Sequence, residues 1–272
     1  MIADQNDRAG LNDSSKSSPL PSPELAEGWR GVGGEVDLNC DLGEGIGNDE
    51  NIMPYISSAN IACGYHAGDE ETMSQTVELC LKHRVSIGAH PSFFDRENFG
   101  RTEMSCSTGE VYELVLKQIK LLNEIAAAKG TKLSHVKPHG ALYNMSAKTI
   151  SLAKSIAQAV KDFDEQLILF GLSGSHSIHE AKAIGLKTAS EVFADRTYQD
   201  DGSLTARSQP GALIEDANTA VKQVLQMIKE GTVTTISGKI IPVVAETICI
   251  HCDGKHAVEF AKAINDAILT RG

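Results

Sequence analysis

Aromatic residues are scarce, at 5% of the 272-residue chain with a single Trp, which leaves little stacking surface for single-stranded nucleic acid. Positive charge is scarce too: 25 Lys and Arg stand against 36 Asp and Glu, a net charge of −11. That balance argues against nucleic acid or an anionic membrane as a partner. No run approaches the roughly 18 apolar residues that span a bilayer. The opening MetIleAlaAspGlnAsnAspArg breaks any secretory signal, and Asp4, Asp7, Asp13, Glu24 and Glu27 are out of place in a mitochondrial leader. A cytoplasmic location is therefore expected. The six cysteines, at 40, 63, 80, 106, 249 and 252, read as small hydrophobes in a chain large enough not to need staples.

Several chemical signatures are missing as well. No Gly-x-x-x-x-Gly-Lys-Ser/Thr occurs, so a standard ATP-phosphate loop is absent. Gly31-Val-Gly-Gly precedes the first expected strand, the wrong side for a dinucleotide loop. Cys249-Ile-His-Cys252 has the spacing of a redox pair but lies on an expected strand rather than at a helix start, so core packing is the better reading. His176 and His179 read as helix surface or cap.

What is present divides into two parts. Residues 1–34 are rich in Asp, Asn, Ser, Pro and Gly, too poor in apolar groups to offset the entropy of ordering, and are expected to form a disordered extension. Residues 35–272 alternate short apolar runs with amphipathic stretches, as one α/β domain does. Strands are expected at 36–40, 58–63, 85–89, 134–137, 167–171, 187–192 and 247–251. Helices are expected from an Asp69 N-cap with Met73, Val77, Cys80 and Leu81 inward, and from a Ser107/Glu110 capping box to Gly130. Others are expected over 149–161, around Ile178–Ile184, over 214–229, and through Ala257 to Ile264, with a hairpin turned at Ser237-Gly238. Seven strands joined by helical crossovers imply a parallel sheet, closed into a (β/α) barrel or open and doubly wound.

Ionisable residues collect where six of these strands end. Successive strand residues face opposite ways, so Asn39 and Asp41 share one face, as do Lys137 and His139, and His251 and Asp253. A lone His at a strand end is usually a satisfied core residue, and a lone Asp a turn former. Six charged strand ends are harder to explain structurally, because unpaired buried charge is costly.

The phrases themselves carry a resemblance. AspLeuAsnCysAspLeuGlyGluGly at 37–45, SerAlaAsnIleAlaCysGlyTyrHisAlaGlyAsp at 58–69, GlyAlaHisPro at 88–91, AsnPheGlyArg at 98–101, HisValLysProHisGlyAlaLeuTyrAsn at 135–144, GluValPheAlaAspArg at 191–196 and IleCysIleHisCysAsp at 248–253 together resemble the LamB/YcsF family. The chain departs from the family pattern at Ser92, Phe93, Thr102, Thr197 and Cys252. The resemblance implies a seven-stranded barrel-like fold related to polysaccharide deacetylases. It also implies ATP-dependent opening of 5-oxo-L-proline to L-glutamate, performed as one component of a 5-oxoprolinase with partner subunits B and C. An amide carbonyl is a poor electrophile, so opening a lactam takes a base, charge stabilisation at oxygen and protonation of the departing nitrogen. The candidate catalytic residues are Asp41, His66, His90, Lys137, His139, Glu191, Asp195, His251 and Asp253. Among these, Asp41, Glu191 or Asp253 can activate a nucleophile, Lys137 can stabilise an oxyanion, and the histidines can move protons. Asn39, Asn60, Arg101, Tyr143, Arg196 and Arg207 are candidates for holding substrate, with the arginines suited to carboxylate or phosphoryl oxygens. Two rival readings stand beside this one. The first is a metal-dependent amidohydrolase acting alone, with Asp41, His66, His90 and His251 as ligand types for a divalent ion. The second is a non-catalytic component that binds substrate for its partners.

Overall fold

The computed structural model describes residues 36–251 and 257–269. In chain order the elements are β1 (Asp37–Leu42), α1 (Asp49–Ile52), β2 (Ser58–Ala62), α2 (Glu70–His83), β3 (Ser86–His90), α3 (Thr108–Ala128), β4 (His135–Val136), α4 (Gly140–Lys148) and α5 (Ile150–Phe163). They continue with β5 (Ile168–Leu172), α6 (His176–Ala183), β6 (Lys187–Phe193), α7 (Ala217–Glu230), the strand pair β7 (Thr232–Thr234) and β8 (Ile240–Pro242), β9 (Thr247–Ile250) and α8 (Ala257–Leu269). Seven strands close a parallel barrel in the order β1-β2-β3-β4-β5-β6-β9, and β9 closes it by pairing with both β6 and β1. The antiparallel β7–β8 hairpin stands outside the barrel, as its Ser-Gly turn predicts.

Both faces of the barrel strands are largely buried, so outward residues pack on helices and inward ones fill the barrel. In β1, Leu38, Cys40 and Leu42 belong to the apolar core, while Asp37, Asn39 and Asp41 form the alternate set. The helices start where capping chemistry places them. The Asp69 carboxylate accepts from Thr72 N at 2.8 Å, and Ser107 and Glu110 form a reciprocal box, with Ser107 N donating to Glu110 Oε2 at 2.7 Å. α5 turns Leu152, Ile156, Ala159 and Val160 into the core at helical spacing.

Three details differ from the sequence reading. Most barrel strands run one or two residues further toward their C-terminal ends than expected, which carries Asp41 and His90 into the strands themselves. α4 was not expected, because its residues read as the end of a strand phrase; the 53° φ of Gly140 lets the chain turn from β4 straight into a helix. Leu81, expected inward, is 42% exposed, because Met73, Val77 and Cys80 already cover the buried side of α2. Cys63, Cys80, Cys106 and Cys249 are free thiols. Among the described residues no helix is long and apolar enough to cross a membrane. The expected extension, Cys252 and Asp253 lie outside the described residues.

The bottom of the barrel holds a titratable group of its own. Asp37 accepts hydroxyl bonds from Ser57 at 2.5 Å, Ser58 at 2.7 Å and Thr247 at 2.5 Å, yet burial outweighs them and pushes its carboxyl up to about 6. A folded-state value above the unfolded one means that its stabilising contribution is present at low pH and lost as pH rises through about 6. Wild-type protein should therefore lose up to about 3 kcal/mol relative to Asp37→Asn between pH ~4 and pH ~7. Thermal melts of both proteins across that range check this; parallel pH profiles would contradict it.

Candidate active site

Inward alternation on β1, β2, β4, β6 and β9 brings one buried cation into the middle of the barrel. Lys137, one residue beyond β4, donates from Nζ to Asp41 Oδ1 at 2.8 Å, to Asn39 Oδ1 at 3.2 Å and to Cys249 Sγ at 3.0 Å, and pairs with Glu191 Oε1 at 2.9 Å. Burial alone would lower the lysine's pKa, but Asp41, Cys249 and Glu191 outweigh it and hold the ammonium well above its ordinary value. Lys137 is thus a fixed positive charge and cannot serve as a base.

The surrounding polar groups lock that charge in place. Asn60 Nδ2 donates to Asn39 Oδ1 at 2.7 Å and to Asp41 Oδ1 at 2.8 Å, and Asn39 Nδ2 donates to Glu191 Oε1 at 3.0 Å and Thr247 Oγ1 at 2.6 Å. His135 closes the network from below, with Nε2 at 2.8 Å from Asn60 Oδ1; burial and nearby Lys137 bring its pKa down to about 3. Burial raises the Asp41 carboxyl, but His90 and Lys137 more than reverse this and leave it well below the carboxylate range. Asp41 therefore stays an anion, weakly basic and committed to orienting its neighbours.

A second cluster sits at the barrel mouth. His66 in the loop after β2, His90 at the end of β3, His139 at the N-cap of α4 and Glu44 in the loop after β1 converge, each offering one donor atom, all within 4.8 Å of one another. His66 and His139 stack at 3.8 Å between centroids. Burial, reinforced by the neighbouring imidazoles, lowers the pKa of both His66 and His139 well below the ordinary value. A third group forms at the lip, where His251 Nδ1 lies 3.0 Å from Asp195 Oδ1 and its backbone N donates to Asp195 Oδ2 at 3.2 Å. Burial raises the Asp195 carboxyl, but His251 outweighs this and lowers it overall.

Above the lysine opens a cleft of about 580 Å³. Asp41, His90, Lys137, His139, Tyr143, Arg101, Arg196, Arg207 and His251 all line it. Arg196 is tied to backbone, donating to Thr205 O at 2.6 Å, and burial lowers its pKa to about 10. Arg101 lies over the Phe99 ring at 4.9 Å. Asn39, Asn60 and Glu191 lie beneath the cleft, not on its wall, where they support Asp41 and Lys137; His66 and Asp195 stand behind it. Two buried atoms, Glu191 Oε2 and Tyr143 Oη, make no hydrogen bond of normal geometry among the described residues, and burial with the Glu191 carboxylate nearby pushes the Tyr143 phenol well above its ordinary pKa. A buried atom in that state costs about 1–3 kcal/mol unless a ligand satisfies it.

The metal-ligand set considered from sequence is thus regrouped. His66 and His90 remain together but are joined by Glu44 and His139, whereas Asp41 and His251 fall into a separate group with Cys249. Glu44 was overlooked because strand alternation does not extend into a loop turned by Gly43, Gly45 and Gly47, all at positive φ. His135 carried a readable signal, since it alternates with Lys137 on one face. The place of Cys249 beside Lys137 had none, because it depends on β9 closing the barrel between β6 and β1.

Comparison with known proteins gives a consistent picture. The family model described as LamB/YcsF family matches residues 36–272. The chain is 56% identical over 242 residues to the 5-oxoprolinase A subunit of Shouchella clausii, covering 87% of this chain and 96% of that protein. It is 51% identical to the corresponding protein of Bordetella parapertussis with the same coverage. The crystal structure of the lactam utilization protein from Thermus thermophilus superimposes with a TM-score of 0.80 at 42% identity, covering 86% of this chain and 96% of that one.

Proposed function

Since the chain belongs to the LamB/YcsF family, we propose that it opens the lactam ring of 5-oxo-L-proline by hydrolysis to L-glutamate, as the A component of an ATP-dependent 5-oxoprolinase with subunits B and C. The observation that carries the reading is Lys137, a buried ammonium held between Asp41 and Glu191 at the floor of a cleft with arginines on its wall. The names of relatives at 56% and 51% identity support the substrate and the need for partners.

The residues divide the work as follows. Arg101, Arg196 and Arg207 offer guanidinium donors to the substrate carboxylate or a phosphoryl group. His251, with Nδ1–H directed to Asp195, is left with a basic Nε2 and takes a proton from water as its oxygen attacks the ring carbonyl. Lys137 faces the carbonyl oxygen and stabilises the negative charge that develops there; its charge is already in place before reaction. As the tetrahedral intermediate collapses, the C–N bond breaks, and the proton taken by His251 is returned to the departing nitrogen. The open product re-closes readily, amine onto carboxyl group. Coupling to ATP, for instance by phosphorylating the carbonyl oxygen, overcomes both the resonance of the amide and this reversal. With no standard phosphate loop in this sequence, that step is assigned to the partners.

The test is reconstitution. The purified chain alone should form little or no glutamate from 5-oxoproline, with or without ATP. Adding the two partner subunits should restore glutamate formation in step with ATP consumption. Brisk, ATP-independent ring opening by the isolated chain would overturn this view and favour a hydrolase acting alone.

A further inference from the structure

We propose that Glu44, His66, His90 and His139 bind one divalent transition ion of the zinc class at the mouth of the barrel, next to Asp41. The inference does not rest on the lactam reading, because it concerns what these four side chains hold and not what they turn over.

His66 Nδ1 lies 2.8 Å from Ser92 Oγ, a hydroxyl that also reaches Phe93 O at 3.0 Å, and with its proton on Phe93 O the hydroxyl accepts from the ring. His90 Nδ1 lies 2.7 Å from Lys137 O, and His139 Nε2 lies 2.9 Å from Phe99 O. A carbonyl only accepts, so both nitrogens carry hydrogen. In that arrangement the nitrogens left to face a metal are Nε2 of His66, Nε2 of His90 and Nδ1 of His139. Two of these, His66 Nε2 and His139 Nδ1, face Glu44 Oε1, and His90 Nε2 faces His139 Nδ1.

Four such atoms this close to one another need protons or a metal ion among them. His139 Nδ1 and His90 Nε2 are 2.9 Å apart, His66 Nε2 is 3.2 Å from Glu44 Oε1, and His139 Nδ1 is 3.7 Å from the same oxygen. A tetrahedral shell with bonds of about 2.0–2.1 Å sets its ligand atoms about 3.3 Å apart, within the spread of these distances. Three imidazole nitrogens and one carboxylate oxygen suit zinc and its first-row neighbours, not the oxygen-seeking Mg²⁺ or Ca²⁺. The second nitrogens are held as metal-binding imidazoles usually are, by acceptors that fix the tautomer.

The backbone also carries strain here. Phe99 sits at a φ of 56°, in the left-handed region that favours glycine, and its carbonyl is the acceptor that orients His139. Beside it, a Cβ on Gly100 would come within 2.8 Å of His66 Cβ and 2.9 Å of His139 Cδ2. The loop backbone thus lies directly against the stacked rings, with no room for a side chain at Gly100. An ion held there supplies Lewis-acid chemistry beside Asp41, whose Oδ2 lies 3.3 Å from His90 Nε2.

The occupant that competes with a metal is a proton shared by His90 and His139, and the experiment separates the two. Chain stripped with a chelator is titrated with Zn²⁺ by calorimetry and with Co²⁺ by its visible absorption. Metal content is also measured on protein purified without chelator. Wild type should take up one equivalent, and His251→Ala should do the same. His66→Ala, His139→Ala and the isosteric Glu44→Gln should fall to background with circular dichroism unchanged, and Ser92→Ala should weaken binding by about 10–100-fold. If a variant fails to fold, Glu44→Gln and Ser92→Ala still report, because they keep the shape of the site. Failure of folded wild type to take up either ion, or full uptake by His66→Ala and Glu44→Gln, would overturn the proposal whether or not the chain opens lactams.

Discussion

Replacing Lys137 with methionine is expected to lower glutamate formation by the reconstituted enzyme by at least about 100-fold, the scale on which a preorganised charge at a developing oxyanion acts. Methionine keeps the length and much of the volume of the side chain, so the loss reports the ammonium and not a cavity. The same change should destabilise the fold by about 3–5 kcal/mol, because Asp41 and Glu191 are left buried with no cation between them. The two effects can be separated. Adding Glu191→Gln removes one of the stranded charges, so the double variant should regain stability while staying inactive. Its coupling energy, read from a double-mutant cycle of melting curves, is expected to be favourable because the two side chains touch at 2.9 Å. Lys137→Met with wild-type turnover, or a double variant that recovers turnover along with stability, would reduce Lys137 to a structural ion pair.

Gly88→Ala is expected to cost the domain about 3 kcal/mol or more, at the upper end of overpacking effects. Gly88 lies inward on β3, in register with His135 on β4. A Cβ built there falls 2.1 Å from His135 Nε2 and 2.3 Å from its Cδ2, far inside contact distance. The ring cannot step aside cheaply. Ser134 Oγ holds its Nδ1 at 2.8 Å, Asn60 Oδ1 holds its Nε2 at 2.8 Å, and it stacks on Phe170 at 4.2 Å. Relieving the clash means breaking the bond to Asn60, which supports both Asn39 and Asp41, so turnover should fall along with stability. Melting temperature should drop by roughly 6–12 °C. The companion variant Gly88→Ala/His135→Ala should be less destabilised than the sum of its parts, because the second change removes the atoms the first one strikes. A melting temperature unchanged within about 1 °C for Gly88→Ala would show that the barrel wall yields there.

Local signals account for most of what could be read without coordinates. The Asp69 cap, the Ser107–Glu110 box and the Ser237-Gly238 turn depend on residues three or fewer positions apart, and each stands where its chemistry predicts. The pairing of Asn39 with Asp41 follows from strand alternation alone, whereas Lys137 and His139, expected on one face, part company because β4 ends at Val136 and His139 caps α4. α4 was missed for a local reason as well, since HisValLysProHisGly reads as an extended phrase until Gly140 turns it. The buried place of Asn39 and Asn60 beneath the cleft was not readable, because depth along a barrel axis depends on register between strands.

The amino-acid sequence by itself determined seven strands with helical crossovers, the ends at which their charged residues gather, and the family to which the phrases belong. Those features rest on periodicity, capping and turn chemistry, which act over a few residues. Tertiary structure alone decided that β9 enters between β6 and β1, so that Cys249 meets Lys137 and His251 meets Asp195, each far away in the chain. It also decided that Glu44 from a glycine-turned loop joins His66, His90 and His139 from three other segments. Closure of the barrel is the physical reason: a parallel sheet joins residues distant in sequence, and only when its two edges meet do seven strand ends face one point.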